Sequence, residues 1–115
     1  MSKRRLYRAY IVGSVSNTTS ESFSPKEPHD HRYVLYVTAA SMEDETAAPT
    51  TIAFGSLVGS SFTPFEEEPS PALGIRYHIE KTHVFMPGEE PAIRVEGGGS
   101  GDVISGYLEG YEEEI

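Results

Sequence analysis

The chain of 115 residues carries 18 acidic and 9 basic side chains, so its formal net charge is -9. Hydrophobic residues make up 37% of the chain, and cysteine is absent. The negative charge argues against a general nucleic-acid-binding protein, because such proteins bind mainly through Lys and Arg that neutralise phosphates. The lack of cysteine excludes disulfides and thiolate metal sites.

The length predicts a single domain, residues 1–115, that buries roughly two thirds of the surface of the unfolded chain. A hydrophobic fraction of 37% is small for a protein that folds alone, so we expect burial against another subunit. No apolar run approaches the roughly 18 residues of a membrane span, and the N-terminus lacks the apolar centre of a secretion signal. These features predict a soluble protein, made in the cytoplasm, with no membrane partner.

The first predicted strand runs from Leu6 to Val15, where successive side chains point to opposite faces of a sheet. One face carries Tyr7, Ala9, Ile11, Gly13 and Val15, and the other carries Leu6, Arg8, Tyr10 and Val12. Both faces are partly apolar, which predicts a sheet on one side and a partner or loop on the other. A polar loop from Ser16 to His31 precedes the second predicted strand, Arg32 to Ala40.

The middle of the chain is predicted to be one strand between two loops. The strand is Ile52 to Val58, and the loop before it, Ser41 to Thr50, has room for one helical turn with Ser41 as its N-cap. The loop after it, Ser60 to Leu73, contains Phe62 and Phe65. Phe is uncommon in disordered segments, so we expect these rings to pack either on the domain's own sheet or on another chain.

The last part of the chain has the clearest strand pattern. Alternation from Ile75 to Met86 predicts a strand that ends at Pro87-Gly88, since Pro cannot donate to a β-ladder and Gly accepts positive φ. A short strand, Ala92 to Glu96, and a glycine-rich turn, Gly97 to Asp102, lead to a final strand from Val103 to Tyr111. The predicted fold is an all-β, antiparallel β-sandwich, jelly-roll-like, with six to eight strands and long loops.

The two chain ends carry opposite charge. The basic group comprises Lys3, Arg4, Arg5 and Arg8, and the acidic group comprises Glu109, Glu112, Glu113 and Glu114. We interpret residues 1–5 as a basic arm and residues 112–115 as an acidic tail. Such charges serve contacts between subunits or with an acidic surface, or they simply lie in solvent. Together with Phe62 and Phe65, the four basic residues are the predicted contacts to a capsid or a subunit.

Histidines form the best metal candidate in the sequence. His29 and His31 lie two residues apart, so in an extended segment both rings could reach one zinc ion, with His78 or His83 as a further ligand. The alternative is a polar turn before a strand, and because nothing fixes a fourth ligand we predict neither a metal nor a cofactor.

No catalytic motif is present. Gly55-Ser56-Leu57-Val58-Gly59 lacks the Gly-x-Ser-x-Gly spacing of a nucleophile elbow. The glycine-rich turn lacks the Lys-Ser/Thr of a phosphate loop and joins two strands. Carboxylates occur in runs that remain in water, without the contrasting environments of an acid/base pair. We therefore predict that the protein is not an enzyme.

Two C-terminal segments are His83 to Glu90, HVFMPGEE, and Gly101 to Glu113, GDVISGYLEGYEE. Their order of strand, Pro-Gly turn, strand, Gly/Asp turn and strand ending Gly-Tyr-Glu resembles the end of small β-sandwich virion proteins of tailed bacteriophages. The resemblance covers roughly the last third of the chain and brings no catalytic residues with it.

That resemblance implies a capsid decoration, cement or head-fibre base protein. Its expected partners are the major capsid protein and further copies of the chain in a homotrimer, and its expected locations are the virion and, during assembly, the host cytoplasm. Two alternatives stay open: a ligand- or receptor-binding β module of a phage tail or fibre, for carbohydrate or protein, and a small metal-dependent β-barrel enzyme.

Overall fold

A computed structural model describes residues 4–27, 29–30, 32–46 and 49–114. These residues form nine strands and no helix. The strands are β1 (Arg4–Ser14), β2 (Ser20–Phe23), β3 (Tyr33–Asp44), β4 (Thr51–Val58), β5 (Ser61–Pro69), β6 (Tyr77–Ile79), β7 (His83–Phe85), β8 (Glu90–Glu96) and β9 (Val103–Glu114). Within these ranges nothing helical has the length and hydropathy of a membrane-spanning segment.

The strands form two antiparallel sheets packed face to face, so the predicted all-β sandwich is confirmed, while its jelly-roll connectivity stays a prediction. The larger sheet has the order β1-β9-β3-β6, and β7 also pairs with β3. The smaller sheet has the order β2-β8-β4-β5. Every pair is antiparallel, including the first strand with the last.

The core lies between the sheets and consists of the alternate side chains that point inward. Its largest fully buried side chains include Phe54, Phe85, Ile11, Leu35, Ile52, Ile93, Ile104 and Leu108. The hydrophobic face predicted for the first strand is the inward one, because Tyr7, Ala9 and Ile11 are all buried. The opposite side chains of β1 are therefore left on the outer surface of the larger sheet.

Two predicted loops contain strands. The loop from Ser16 to His31 includes β2, whose side chains are all half-buried. The loop from Ser60 to Leu73 includes β5, which pairs with β4 from Ser61 to Pro69 with one register shift at Phe65. Pro64 and Pro69 argued against a strand, but β5 is an edge strand, where a residue without an amide hydrogen is tolerated.

Three further predictions differ from the structure in detail. Residues Ser41 to Asp44 continue β3 and pair with β9, so the helical turn expected to start at Ser41 does not form there; Ala47 and Ala48 lie outside the described residues. The single strand expected over Ile75 to Met86 is divided into β6 and β7. The number of strands is nine within the described residues, instead of six to eight.

Candidate functional site

The candidate site is the outer face of the larger sheet, which we call the tyrosine face because it carries Tyr10, Tyr36, Tyr107 and Tyr111. Strand alternation places these side chains there. Every second residue of β9, including Ile104 and Leu108, is buried in the core, and the residues between them, including Tyr107 and Tyr111, are half-buried on the outer face. On β1, the outward side chains Leu6, Tyr10 and Val12 are 68%, 67% and 61% exposed. Large apolar groups therefore remain in contact with solvent.

The four tyrosines form two cross-strand pairs. Tyr10 lies opposite Tyr107 in the β1–β9 ladder, with ring centroids 5.0 Å apart at an interplanar angle of 49°. Tyr36 lies opposite Tyr111 in the β3–β9 ladder, with centroids 4.8 Å apart and an angle of 17°. Cross-strand aromatic pairs stabilise a sheet, and here they also hold the rings as two rigid platforms on its surface.

Ion pairs lie beside the tyrosine pairs. Arg8 is 3.9 Å from Glu109 and Arg4 is 3.4 Å from Glu113, each across the β1–β9 ladder. The Tyr107 hydroxyl donates to Glu109 at 3.1 Å. Burial, followed by this hydrogen bond to a carboxylate, raises the pKa of Tyr107 above its ordinary value. The guanidinium of Arg4 also stacks 4.1 Å above the Tyr111 ring.

A shallow depression of about 360 Å³ lies at the β6 end of the tyrosine face. Its lining comprises Tyr10, Val12, Ser41, Arg76, Ser105, Gly106 and Tyr107. Arg76 lies across two strands: it donates to the hydroxyls of Ser41 at 2.8 Å and Ser105 at 2.9 Å, and its Nε is 3.2 Å from Glu43. The depression thus combines aromatic rings, hydroxyls and a fixed guanidinium.

The tyrosine face is electrically neutral although the chain is strongly acidic. Among the residues that the structure describes, three arginines on this face, Arg4, Arg8 and Arg76, are matched by three glutamates, Glu43, Glu109 and Glu113. These six charges cancel, so the whole net charge of -9 belongs to the rest of the sequence. A second surface can therefore approach this face without the like-charge repulsion that opposes approach elsewhere.

The predicted arm and tail are two strands of one ladder in the described residues. Arg4 and Arg5 begin β1 and lie opposite Glu113 and Glu112 of β9. Lys3 and Ile115 lie outside the described residues. The opposite charges of the chain ends are thus paired with each other within the domain, although their pattern in the sequence suggested contacts with an external surface.

The metal candidate His29 lies in a cluster with Arg5, Asp30 and Glu112, which we call the His29–Glu112 cluster after its two buried members. The His29 side chain is fully buried with its Nδ1 3.1 Å from Glu112 Oε2, and Arg5 Nε donates to the other Glu112 oxygen at 3.0 Å. The guanidinium of Arg32 holds the pKa of Asp30 well below its usual range. His31 lies outside the described residues, within which no three His, Asp or Glu side chains could together hold a metal ion.

Tyr7 lies beside this cluster and makes the stability of the fold sensitive to alkaline pH. Burial, then the nearby charges of Glu90, Glu112 and Glu27, raises its pKa well above the ordinary value. A phenol whose pKa is raised by folding favours the folded state below its unfolded value of about 10, and this stabilisation is lost as the pH rises above that value. Wild-type protein should therefore lose Tm between about pH 9 and about pH 11.

Tyr7→Phe should lose less Tm than wild type over that range, as measured by circular dichroism at each pH. Tyr10→Phe is the matched control, because Tyr10 is 67% exposed on the same strand, and it should follow the wild-type curve. An equal loss of Tm at alkaline pH in wild type and Tyr7→Phe would contradict the role given to Tyr7.

The two predicted phenylalanines pack on the domain itself. Phe65 stacks on His83 with centroids 5.0 Å apart and also contacts Phe85, so it links β5 to β7 of the other sheet. Phe62 lies on the outer face of the smaller sheet, 5.6 Å from the Arg94 guanidinium. Both rings thus contact the domain itself, and their contact with a capsid or a second subunit stays a prediction.

The described site residues predicted from the sequence are thus distributed over three places: the β1–β9 ladder, the β5–β7 contact and the outer face of the smaller sheet. The four tyrosines were not among the site residues predicted from the sequence. A signal was present, because Leu6, Arg8, Tyr10 and Val12 alternate on the second face of the first strand. The strand order, which brings Tyr107 and Tyr111 beside this face, was needed to recognise it.

Comparison with known proteins adds no relative: no protein-family model matches the chain, and no curated protein matches it significantly.

Proposed function

We propose that the protein is a structural component of a virion, a decoration or cement protein that binds the outer shell of a tailed phage and works as a homo-oligomer. The observation that carries this proposal is the tyrosine face: a neutral, rigid surface with large exposed apolar side chains on an otherwise acidic protein. It acts by surface complementarity and performs no chemistry.

The composition of this face supports a protein–protein contact. Protein interfaces are enriched in Tyr and Arg, and the residues that dominate binding energy are commonly Trp, Tyr and Arg. Here the β9 members of two tyrosine pairs and two Arg–Glu pairs alternate along the strand, in the order Tyr107, Glu109, Tyr111 and Glu113. The platforms are already fixed by stacking and by ion pairs, so little side-chain entropy is lost when a partner binds.

The order of turns and strands supports the virion part of the proposal. The resemblance depends on a Pro-Gly turn, a strand, a Gly/Asp turn and a terminal strand. The chain has this order in space as well: β7, a turn at Pro87-Gly88, β8, the turn before Val103, and β9. The terminal strand lies in the middle of the larger sheet, where it supplies two of the four tyrosines of the proposed contact face.

The test uses virions from the source of the chain and shells that lack it. Mass spectrometry should find the chain in a fixed ratio to the major capsid protein, and purified protein should co-sediment with the shells. Val12→Lys should weaken co-sedimentation by about tenfold or more, since burying an unpaired lysine at a contact costs at least about 1.4 kcal/mol.

Val58→Lys is the matched control, because Val58 is a similarly exposed valine, at 52% against 61% for Val12, and lies at the end of β4 in the other sheet. It should bind the shell as wild type does. Absence of the chain from virions, or equal binding by both lysine variants, would refute the proposal.

A second candidate, a carbohydrate- or receptor-binding module of a tail or fibre, is favoured by the depression between Tyr10, Tyr107 and Arg76. An aromatic platform beside hydroxyls and a guanidinium offers stacking and hydrogen bonds to a sugar. Selective binding on a glycan array that Tyr107→Ala abolishes, with no binding to shells, would establish this candidate in place of the first.

A further inference from the structure

Within the described residues, the larger sheet has one long edge without a neighbouring strand. Each sheet of the described fold has two edges, and three of the four are interrupted, short or protected. β2 has only four residues, and β6 and β7 have three each. β5 has Pro64, Pro69 and a register shift opposite Phe54/Gly55. Such devices prevent an edge from pairing with another chain.

The fourth edge is β1, and it has neither a proline nor a bulge. All eleven of its residues pair with β9 in continuous register, from Arg4 with Glu113 to Ser14 with Val103. Because β1 pairs on one side only, alternate backbone amides and carbonyls point away from the sheet. This edge is therefore suited to accept a further antiparallel strand.

Side-chain exposure points to the same edge. The three most exposed large hydrophobic residues of the described structure, Leu6, Tyr10 and Val12, all belong to β1. Their counterparts on β9 and β3 are half-buried because a strand lies on each side of them. A further strand beside β1 would therefore pair with its outward backbone groups and cover its exposed side chains.

We propose that β1 of a second copy fills this position, antiparallel and related by a two-fold axis near Ile11. This inference rests on the proposed function, which requires a homo-oligomer, and it identifies the contact between copies. In this register Tyr10 lies opposite Val12 of the other copy and Arg8 lies opposite Ser14. Residues 8–14 form the paired segment, within the length of ordinary strands.

The charges of β1 are compatible with this register and exclude one centred on Arg8. Like charges directly opposite each other destabilise a strand pair, and an axis at Arg8 would place two arginines opposite each other. With the axis near Ile11, Arg4 and Arg5 extend beyond the paired segment and keep their partners Glu113 and Glu112. The segment is therefore complementary to itself, which a two-fold contact requires.

This pairing makes the tyrosine face continuous over two copies. The two larger sheets become one sheet, and the eight tyrosines of the two faces lie on the same side. A shell contact made by both copies at once gains from effective concentration. The two-fold contact gives a dimer, which differs from the trimer that the resemblance implies.

Single engineered cysteines test the contact directly, because the wild-type chain has none. Tyr10→Cys and Val12→Cys proteins, distinguished by a mass tag, are mixed and oxidised. Opposite residues of antiparallel strands have Cα atoms about 4.5–5.5 Å apart, within disulfide range. The mixed disulfide that joins one variant to the other should form roughly 100-fold faster than disulfides of a Val58→Cys control.

Either single variant alone should crosslink no faster than the control, because residue 10 lies opposite residue 12. Light scattering at the same concentrations checks that untreated wild type is dimeric. A mixed disulfide no faster than the control, or monomeric wild type, would overturn the pairing. Monomeric protein that still co-sediments with shells would refute the pairing and the homo-oligomer but leave shell binding, the other part of the proposed function, intact. A dimer that does not bind shells would refute the proposed function and leave the pairing intact.

Discussion

Gly110→Ala is expected to destabilise the protein by about 3 kcal/mol, near the upper end for overpacking, and to lower Tm by roughly 10 °C. A Cβ at this position would overlap with the backbone carbonyl of Tyr36. Gly110 lies in β9, the strand held between β1 and β3. Neither backbone can move away without loss of ladder hydrogen bonds, so the strain cannot be relieved locally. Thermal unfolding followed by circular dichroism measures the effect.

Gly74→Ala is the matched control for this prediction. Gly74 has φ 70° in a surface turn, and a Cβ there would meet nothing within 4 Å. Its substitution costs only the backbone strain of a left-handed residue, about 1 kcal/mol. If Gly110→Ala were as mild as Gly74→Ala, the close packing of β9 against β3 would be wrong.

Glu112→Gln should cost about 2 kcal/mol, within the range for losing hydrogen bonds to a buried charged group. Its carboxylate accepts hydrogen bonds from Arg5 Nε and the Asp30 amide, lies 3.1 Å from His29 Nδ1, and is almost fully buried. A glutamine at this position keeps the size and loses the charge, so Arg5 keeps its charge without its main partner. Chemical denaturation gives the loss in free energy of unfolding.

Glu113→Gln, one residue further along β9, should cost no more than about 1 kcal/mol, since exposed ion pairs contribute little. The Arg4 partner of Glu113 is 60% exposed, and the Glu113 side chain is 30% exposed. A loss of similar size in both variants would contradict the view that the His29–Glu112 cluster joins the first and last strands to the segment before β3.

Strands with both alternation and clear boundaries were predictable from the sequence. The first and last strands and β4 and β8 were recognised because apolar residues recur at every second position. β5 was missed because its prolines and Glu66 to Glu68 are typical of a loop, although both suit a protected edge strand. β2, Ser-Glu-Ser-Phe, has a single apolar residue and gives no periodic signal.

The division between β6 and β7 depends on tertiary structure. Both strands pair with β3, where Ala40 lies opposite Ile79 and Val37 lies opposite His83. Three residues along β3 therefore correspond to four residues along the segment that contains β6 and β7. The extra residue interrupts the ladder at Glu80 to Thr82. No Gly or Pro marks this break, and alternation continues through it, so the sequence alone predicts one strand.

The charged residues of the candidate site show what a sequence can and cannot reveal. Arg4, Arg5 and Arg8 are separated by one and then three positions, and Glu113, Glu112 and Glu109 repeat those separations in reverse. This is the pattern of an antiparallel ladder. It becomes informative once the first and last strands are known to be neighbours, and no rule of local structure gives that pairing.

Hydroxyl-radical footprinting of the protein, alone and bound to shells, tests most directly whether the tyrosine face is the working surface. Tyr10 and Tyr107 should be oxidised in the free protein and protected several-fold on the shell. Leu73, which is 55% exposed and lies in the turn between β5 and β6, should react equally in both states. Protection of Leu73 with no change at Tyr10 and Tyr107 in the bound protein would contradict the account.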